Sequence, residues 1–553
     1  MAEQRPQAFR PRWIGALAFL LAAFLAAIGW WFEGQPVAGI PDAPTAKLRC
    51  VSYAPFQGWQ TPADPELMIP PAQMEADLRY LAERFDCVRT YSTAHGQDAI
   101  PRLAQKLGIK VIVGAWIGRE ADRNASELQE VIELANAYPD TVRALVIGNE
   151  TLLRQEQPPE ALAAMMNQAR QATKVPVTYA DVWEFWIRNP QLAEAADFVT
   201  IHILPYWEDE PIGIDHAVDH IANILSIVQG KFPNKKLLIG ETGWPSEGRM
   251  REAARPSPAN QARFIRGFVN LAEARGIDYN VIEAFDQSWK RAQEGTVGGY
   301  WGLYDTARQA KFPFIGPAGG DAFWLERLAV SLALGALPVL YALRRGRRFS
   351  TGEWLAFAFA AVAAGSVVAV QARFVAITSV TPRDWGFGIA GIALSLATAW
   401  TLLRHAARGA LFWPYAGDGY RAAPLRDVLA WPRHFWAAPF TPSLWLGVLH
   451  GASVFAATAI ALALVFDPRY RDFPTVAFLI PAIGFLAAGG RLARGRTEER
   501  WLAWLLAAAA LVGGVREGFE NWQAWGWTVT CLVLAWPWLG LDRRKDGRSL
   551  IRG

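Results

Sequence analysis

Residues 13–32 carry no charged side chain. A helix of about 20 apolar residues spans roughly 30 Å, the thickness of bilayer hydrocarbon. Seven more apolar runs follow: Phe323–Leu343, Trp354–Ile377, Trp385–Leu403, Leu444–Phe466, Phe473–Gly489, Trp501–Val515 and Trp522–Gly540. In hydrocarbon every backbone N–H and C=O must be satisfied within the segment, so such runs are read as helices. They predict an all-α polytopic membrane domain over residues 323–540, preceded by a single anchor at 13–32. The chain is 52% hydrophobic and 19% charged, which excludes a disordered protein. Three Cys exclude a disulfide-stapled scaffold, and no Cys/His cluster has zinc-ligand spacing, so neither a metal nor a cofactor is expected.

Basic residues give the runs a direction. Arg5, Arg10 and Arg12 precede the first run, and Arg344, Arg345, Arg347 and Arg348 follow the second. Arg404, Arg408, Arg421, Arg426 and Arg433 follow the fourth, and Arg491, Arg494, Arg496 and Arg500 the sixth. The end of the chain adds Arg543, Arg544, Lys545, Arg548 and Arg552. Positive charge thus gathers on alternate connections. This predicts cytoplasmic termini at 1–12 and 541–553, a linker at 33–46 and a large outside domain at 47–317. Trp30-Trp31-Phe32 reads as an interfacial aromatic belt with no A-x-A site after it, so the first run is read as an uncleaved anchor. Segment 33–325 holds 37 acidic against 28 basic residues, so the positive charge reflects membrane topology, not nucleic-acid binding. The lipid bilayer is accordingly one expected partner.

Within 47–317, short β-branched or aromatic runs alternate with helical patterns. The runs are Arg49–Tyr53, Cys87–Tyr91, Lys110–Ala115, Val142–Ile147, Pro176–Ala180, Phe198–Ile203, Lys236–Ile239 and Tyr279–Phe285. Strands alternating with helices make a parallel sheet, and eight such units over this length predict an α/β (β/α)8 TIM barrel. A doubly wound open sheet is the alternative, weakened because no glycine-rich fingerprint follows the first strand. Cys50 and Cys87 fall on neighbouring strands and are expected as buried thiols, since bridging demands particular geometry.

Barrel sites form at the C-terminal ends of strands. The fourth strand ends Ile147-Gly148-Asn149-Glu150 and the seventh Gly240-Glu241-Thr242-Gly243-Trp244-Pro245-Ser246. Two carboxylates delivered across one barrel mouth are what retaining glycoside hydrolysis needs, about 5–5.5 Å apart. Glu150 is read as the acid/base, its pKa raised by a neighbouring carboxylate and apolar walls, and Glu241 as the nucleophile. Asn149 is placed to hold a sugar hydroxyl. A single Glu after a strand would ordinarily be a solvated loop residue; the two full contexts together argue otherwise.

These motifs resemble glycoside hydrolase family 17, the β-1,3-glucanase family. Val88-Arg89-Thr90-Tyr91, Gly114-Ala115-Trp116, His202-Ile203-Leu204-Pro205-Tyr206-Trp207, Glu283 to Lys290 and Trp301-Gly302-Leu303-Tyr304-Asp305 agree with its bacterial branch. The resemblance implies double displacement with Glu150 and Glu241 in the roles above. It leaves Gln287 where plant relatives carry a Glu three residues before the lysine, here Lys290. Arg89 is expected to hold the nucleophile charged, Tyr206 to donate to it, and His202 and Lys290 to support the pair. Tyr53, Trp116, Trp207, Trp244, Glu283, Asp286 and Trp289 are the substrate-binding candidates, with Trp183, Trp186 and Trp301 as further flat surfaces for sugar rings. The expected partner is a β-glucan, and a membrane glucan synthase is a plausible neighbour. The expected place is the bacterial inner membrane with the enzyme domain periplasmic, where cleavage, or transfer of the cleaved chain to another glucan, would occur. A non-catalytic glucan receptor is the competing reading of another class.

Overall fold

The computed structural model describes residues 13–407, 422–434, 441–488 and 497–539. The chain divides into two compact units, one of residues 36–320 and one of 1–35 with 321–553.

The first unit is a closed parallel barrel of eight strands in sequential order. They are β1 Leu48–Ser52, β2 Phe85–Arg89, β3 Lys110–Ala115, β4 Val142–Asn149, β5 Val177–Val182, β6 Val199–His202, β7 Leu237–Thr242 and β8 Asp278–Val281. β8 pairs with β1 through Cys50 opposite Asn280, which closes the cylinder and excludes the open sheet. Each strand is short and buried on both faces, as parallel strands covered by helices must be. One core lies between strands and outer helices, around Leu145, Ile147, Tyr179, Ile201, Phe264 and Phe268. A smaller one fills the barrel interior with Cys50, Cys87, Ile112, Ala144, Val146, Ala180 and Leu238.

The strand registers correct one expectation. Cys50 and Cys87 are direct partners across β1 and β2 and form a disulfide, rather than two buried thiols. Their register brings the Cα atoms to 4.5 Å, within bridging range.

The second unit is helical. Its helices are Trp13–Glu33, Trp324–Arg344, Thr351–Thr378, Pro382–Ala406, Pro442–Phe466, Thr475–Ala488, Thr497–Arg516 and Trp522–Leu539, with a short one at Leu425–Ala430. All eight apolar runs are thus helical, but they differ in reach. The first five are long and apolar enough to cross a membrane. Thr475–Ala488 is apolar but only 14 residues long. Thr497–Arg516 begins Thr-Glu-Glu-Arg, and Trp522–Leu539 carries five Trp with a Gln and a Pro, which lowers their hydropathy. Starts are fixed by side chains. Ser350 with Glu353, and Thr381 with Asp384, form reciprocal capping boxes. The expected cytoplasmic ends at 1–12 and 541–553, and Arg408, Arg421, Arg491, Arg494 and Arg496, lie outside the described residues.

Candidate active site

The last residue of β4 is Asn149, and Glu150 follows it with φ +51. Gly148 lies at φ +87, where a side chain would be strained and its Cβ would meet Thr151 Oγ1 at 2.7 Å. This sharp exit turns Glu150 out of the strand, and its N–H is kept by the Ala180 carbonyl at 2.8 Å. Glu241 lies within β7, opposite His202 of β6. Gly240 permits that pairing, because a Cβ there would approach Thr200 at 2.5 Å and the His202 ring at 3.1 Å. β2 contributes Arg89 at its end.

These side chains converge. Arg89 Nη1 donates to Glu241 Oε1 at 3.2 Å and to the Gly240 carbonyl at 2.7 Å, while Nη2 donates to Asn149 Oδ1. His202 Nδ1 meets Glu150 Oε1 at 2.8 Å, and its Nε2 lies 3.4 Å from Arg89 Nη1 and 3.7 Å from Glu241 Oε1. One oxygen of Glu150, one of Glu241 and one His202 nitrogen all lie within 4.8 Å of one another. The arginine side chain is 1% exposed and that of Glu241 6%, whereas Glu150 keeps 23% of its side chain open. The trio offers metal-type donor atoms, but a guanidinium already supplies the positive charge beside them. Two carboxyls this close can bracket a single acetal carbon, one attacking while the other moves a proton.

The protonation expected of Glu150 is reversed. Burial pushes its carboxyl up, but the hydrogen bond from His202, with the charges of Arg154 and Arg89, helps to hold it below the ordinary value. Neighbouring positive groups, invisible in the local motif, override the apolar walls.

The other candidates separate into two groups. Trp116, Trp207 and Trp289 are half-buried after β3, β6 and β8. Arg154 stacks over Trp116 at 4.3 Å, Trp207 stacks on Trp301, and Trp289 donates to Gln287 Oε1 at 2.9 Å. Four others are enclosed by the fold. Tyr53 donates to Asp77 at 3.1 Å and packs on Phe285. Tyr206 donates to the Arg249 carbonyl at 2.8 Å, not to Glu241. Trp244 donates to the Arg255 carbonyl at 2.9 Å and packs on Phe264. Trp186 donates to the Thr200 carbonyl at 2.7 Å. Trp301, also buried, serves as backing for Trp207. Asp286 is locked by Lys311 and the Gly302 N–H, and burial drives its carboxyl up to about 6. Each of these side chains is buried against the partners named, unlike Trp116, Trp207 and Trp289.

Lys290 meets a carboxylate in spite of Gln287. Glu283, from the end of β8, accepts from its Nζ at 2.9 Å. Burial raises Glu283 to about 7, and its Oε1 is buried with no partner among the described residues. Three further groups were not anticipated. Asp181 of β5, driven by burial to about 6, feels the charges of Glu150 and His202. Arg154 adds positive charge beside Glu150. Glu294 is raised by burial, against the Lys290 charge, and by the charges of Glu150 and Glu241. Asp181, one residue before the end of β5, was available as a signal, since a charged residue on an otherwise apolar strand asks for a function.

Residues 50–302 match the family model described as the BtgE/BtgC glycoside hydrolase domain. A glucan 1,3-beta-glucosidase of Schizosaccharomyces pombe is 28% identical over 254 residues, 43% of this chain and 78% of the yeast protein. The glucan 1,3-beta-glucosidase of Saccharomyces cerevisiae is 25% identical over 260 residues, 43% of this chain and 83% of its own. Among solved structures, a glycoside hydrolase family 17 beta-1,3-glucanosyltransferase from Rhizomucor miehei is 26% identical, covering 49% of this chain and 98% of its own at a TM-score of 0.43.

Proposed function

The barrel belongs to glycoside hydrolase family 17, and from that we propose a membrane-anchored, retaining enzyme that cleaves β-1,3-glucosidic bonds and passes the released chain to another glucan. The observation that carries this reading is the approach of Glu150 and Glu241 to within 4.8 Å across the barrel mouth. Glu241, held by the Arg89 guanidinium, attacks the anomeric carbon, and Glu150 protonates the leaving oxygen. The glycosyl-enzyme then yields to an incoming hydroxyl whose proton returns to Glu150. Asn149, tied to the same guanidinium, is the group for the hydroxyl beside the reacting carbon. Trp116 after β3, and Trp207 and Trp289 after the strands flanking β7, offer half-buried ring surfaces for sugars on more than one side of the carboxyl pair. A second sugar can therefore stand where water would otherwise attack.

The lowered Glu150 pKa fits a two-stage use. The free site keeps the carboxyl ionised, and a bound sugar strips water from its exposed 23%, which favours the protonated form the first step needs. The helical unit supports placement in a bacterial inner membrane, with the barrel periplasmic and both termini cytoplasmic. Five crossing-length helices and the alternation of basic connections favour that direction. A membrane glucan synthase in the same bilayer would supply the chains.

The test is product analysis of the full-length protein on laminari-oligosaccharides. Longer or branched products mean transfer, only shorter ones mean hydrolysis, and unchanged substrate overturns the reading. Glu241→Gln and Glu150→Gln should each lower kcat by about a hundredfold or more, and a 2-fluoro laminaribioside should leave its adduct on Glu241.

A further inference from the structure

His202 touches both halves of the carboxyl pair, and its own surroundings fix how it does so. The ring is fully enclosed at the end of β6. Its Nε2 lies within 3.4 Å of Arg89 Nη1, a group that only donates, and beyond hydrogen-bond range of Glu241 at 3.7 Å. The tautomer that satisfies this contact has an aprotic Nε2 and therefore a proton on Nδ1. That proton points at Glu150 Oε1, 2.8 Å away. The other Glu150 oxygen, Oε2, has no hydrogen-bond partner among the described residues, and the side chain keeps its open fraction towards solvent.

We propose that His202 is a positioning residue: with its tautomer locked by Arg89, it ties down Oε1 of Glu150 and so assigns the reacting proton to Oε2. This rests on the catalytic roles proposed above. In the first step Glu241 forms a bond to the anomeric carbon as the bond to the leaving oxygen breaks, and the Oε2 proton moves to that oxygen. Glu150 is left as a carboxylate whose charge is met by the Nδ1–H. In the second step the incoming hydroxyl gives its proton to Oε2 as its oxygen displaces Glu241. The Arg89 guanidinium beside the ring also binds Glu241 and Asn149.

The other charges around this dyad are Arg89 from β2, Arg154 after β4, Asp181 from β5, Glu241 from β7 and Glu294 after β8. Among the described residues, His202 alone makes a side-chain hydrogen bond to Glu150. Loss of that donor must therefore move the ionisation of Glu150 upward, while a change that spares it must not.

The experiment is the pH dependence of kcat/KM for the full chain in detergent, on a laminari-oligosaccharide. His202→Ala should move the alkaline limb upward by about one pH unit or more. His202→Asn, whose amide N–H falls near the Nδ1 position, should leave the limb where it is. A limb unmoved in His202→Ala, with only kcat reduced, overturns the proposal. Should that variant not fold, ¹⁵N shifts of the histidines in the native protein decide instead. An aprotic Nε2 on His202 throughout the limb is the expected result, and an imidazolium or the opposite tautomer overturns it. Glu150→Gln and Glu241→Gln run alongside keep the two questions apart. Full turnover in either sinks the catalytic pair, whereas loss in both with an unmoved His202→Ala limb sinks the role of His202 alone.

Discussion

Asp181 is a carboxyl in an awkward place. It is completely buried at the end of β5, accepting from the Tyr179 hydroxyl and from the Val182 N–H at 2.7 Å. Burial, helped by the Glu150 charge and opposed by its hydrogen bonds, lifts it from 3.8 to about 6. A carboxyl whose folded pKa is raised binds its proton more tightly in the native state than in the unfolded chain. Stability from this group is therefore present below about pH 4 and is lost as pH rises towards 6. The melting temperature should fall across that window, and Asp181→Asn, which keeps an acceptor for Tyr179, should flatten the fall. Differential scanning fluorimetry between pH 4 and 7 reads this directly; an equal slope in both proteins would remove Asp181 as its cause.

At the level of strands and loops, the two glutamates were legible because each sits in a strand-end context whose glycines have a backbone reason: Gly148 at positive φ, Gly240 under the His202 ring. The aromatic residues were not. Tyr53, Trp244 and Trp116 all follow strands, and nothing in their spacing separates a side chain turned towards the outer helices from one left in the cleft. Loop packing decides it: Trp244 is trapped against Phe264, while Trp116 lies half-buried beneath Arg154. Glu283 was read as a substrate-binding candidate, and its pairing with Lys290 depends on how the connection after β8 folds back. The Cys50–Cys87 bridge depended on the register of β1 against β2, which a sequence read strand by strand does not contain. The contrast among the tryptophans is measurable. Trp244→Ala should destabilise the barrel by about 3–5 kcal/mol, as a large core truncation does. Trp116→Ala should leave the melting temperature nearly unchanged and lower kcat/KM on longer oligosaccharides by about tenfold, some 1.4 kcal/mol of binding. The reverse pattern would return Trp244 to the cleft.

For the molecule as a whole, the direction proposed for the chain through a bilayer rests on where its arginines lie, and protease protection tests it. In inside-out vesicles the connection carrying Arg344 to Arg348 should be cut while the barrel survives; a barrel degraded from the cytoplasmic face would invert the topology. The two units meet the chain twice in neighbouring places. Within the barrel unit, Val37 donates to the Ala318 carbonyl at 2.9 Å, so its beginning and end leave side by side. Within the helical unit, Asp321 donates to the Glu33 carbonyl at 2.8 Å, so the first helix and the next are already pinned together at those ends. The glycosidase is thus a cassette spliced into the bend of a helical hairpin. Excising it would leave a short loop, and a gene could gain, lose or exchange its whole catalytic cargo at that one seam without reshaping the scaffold that receives it.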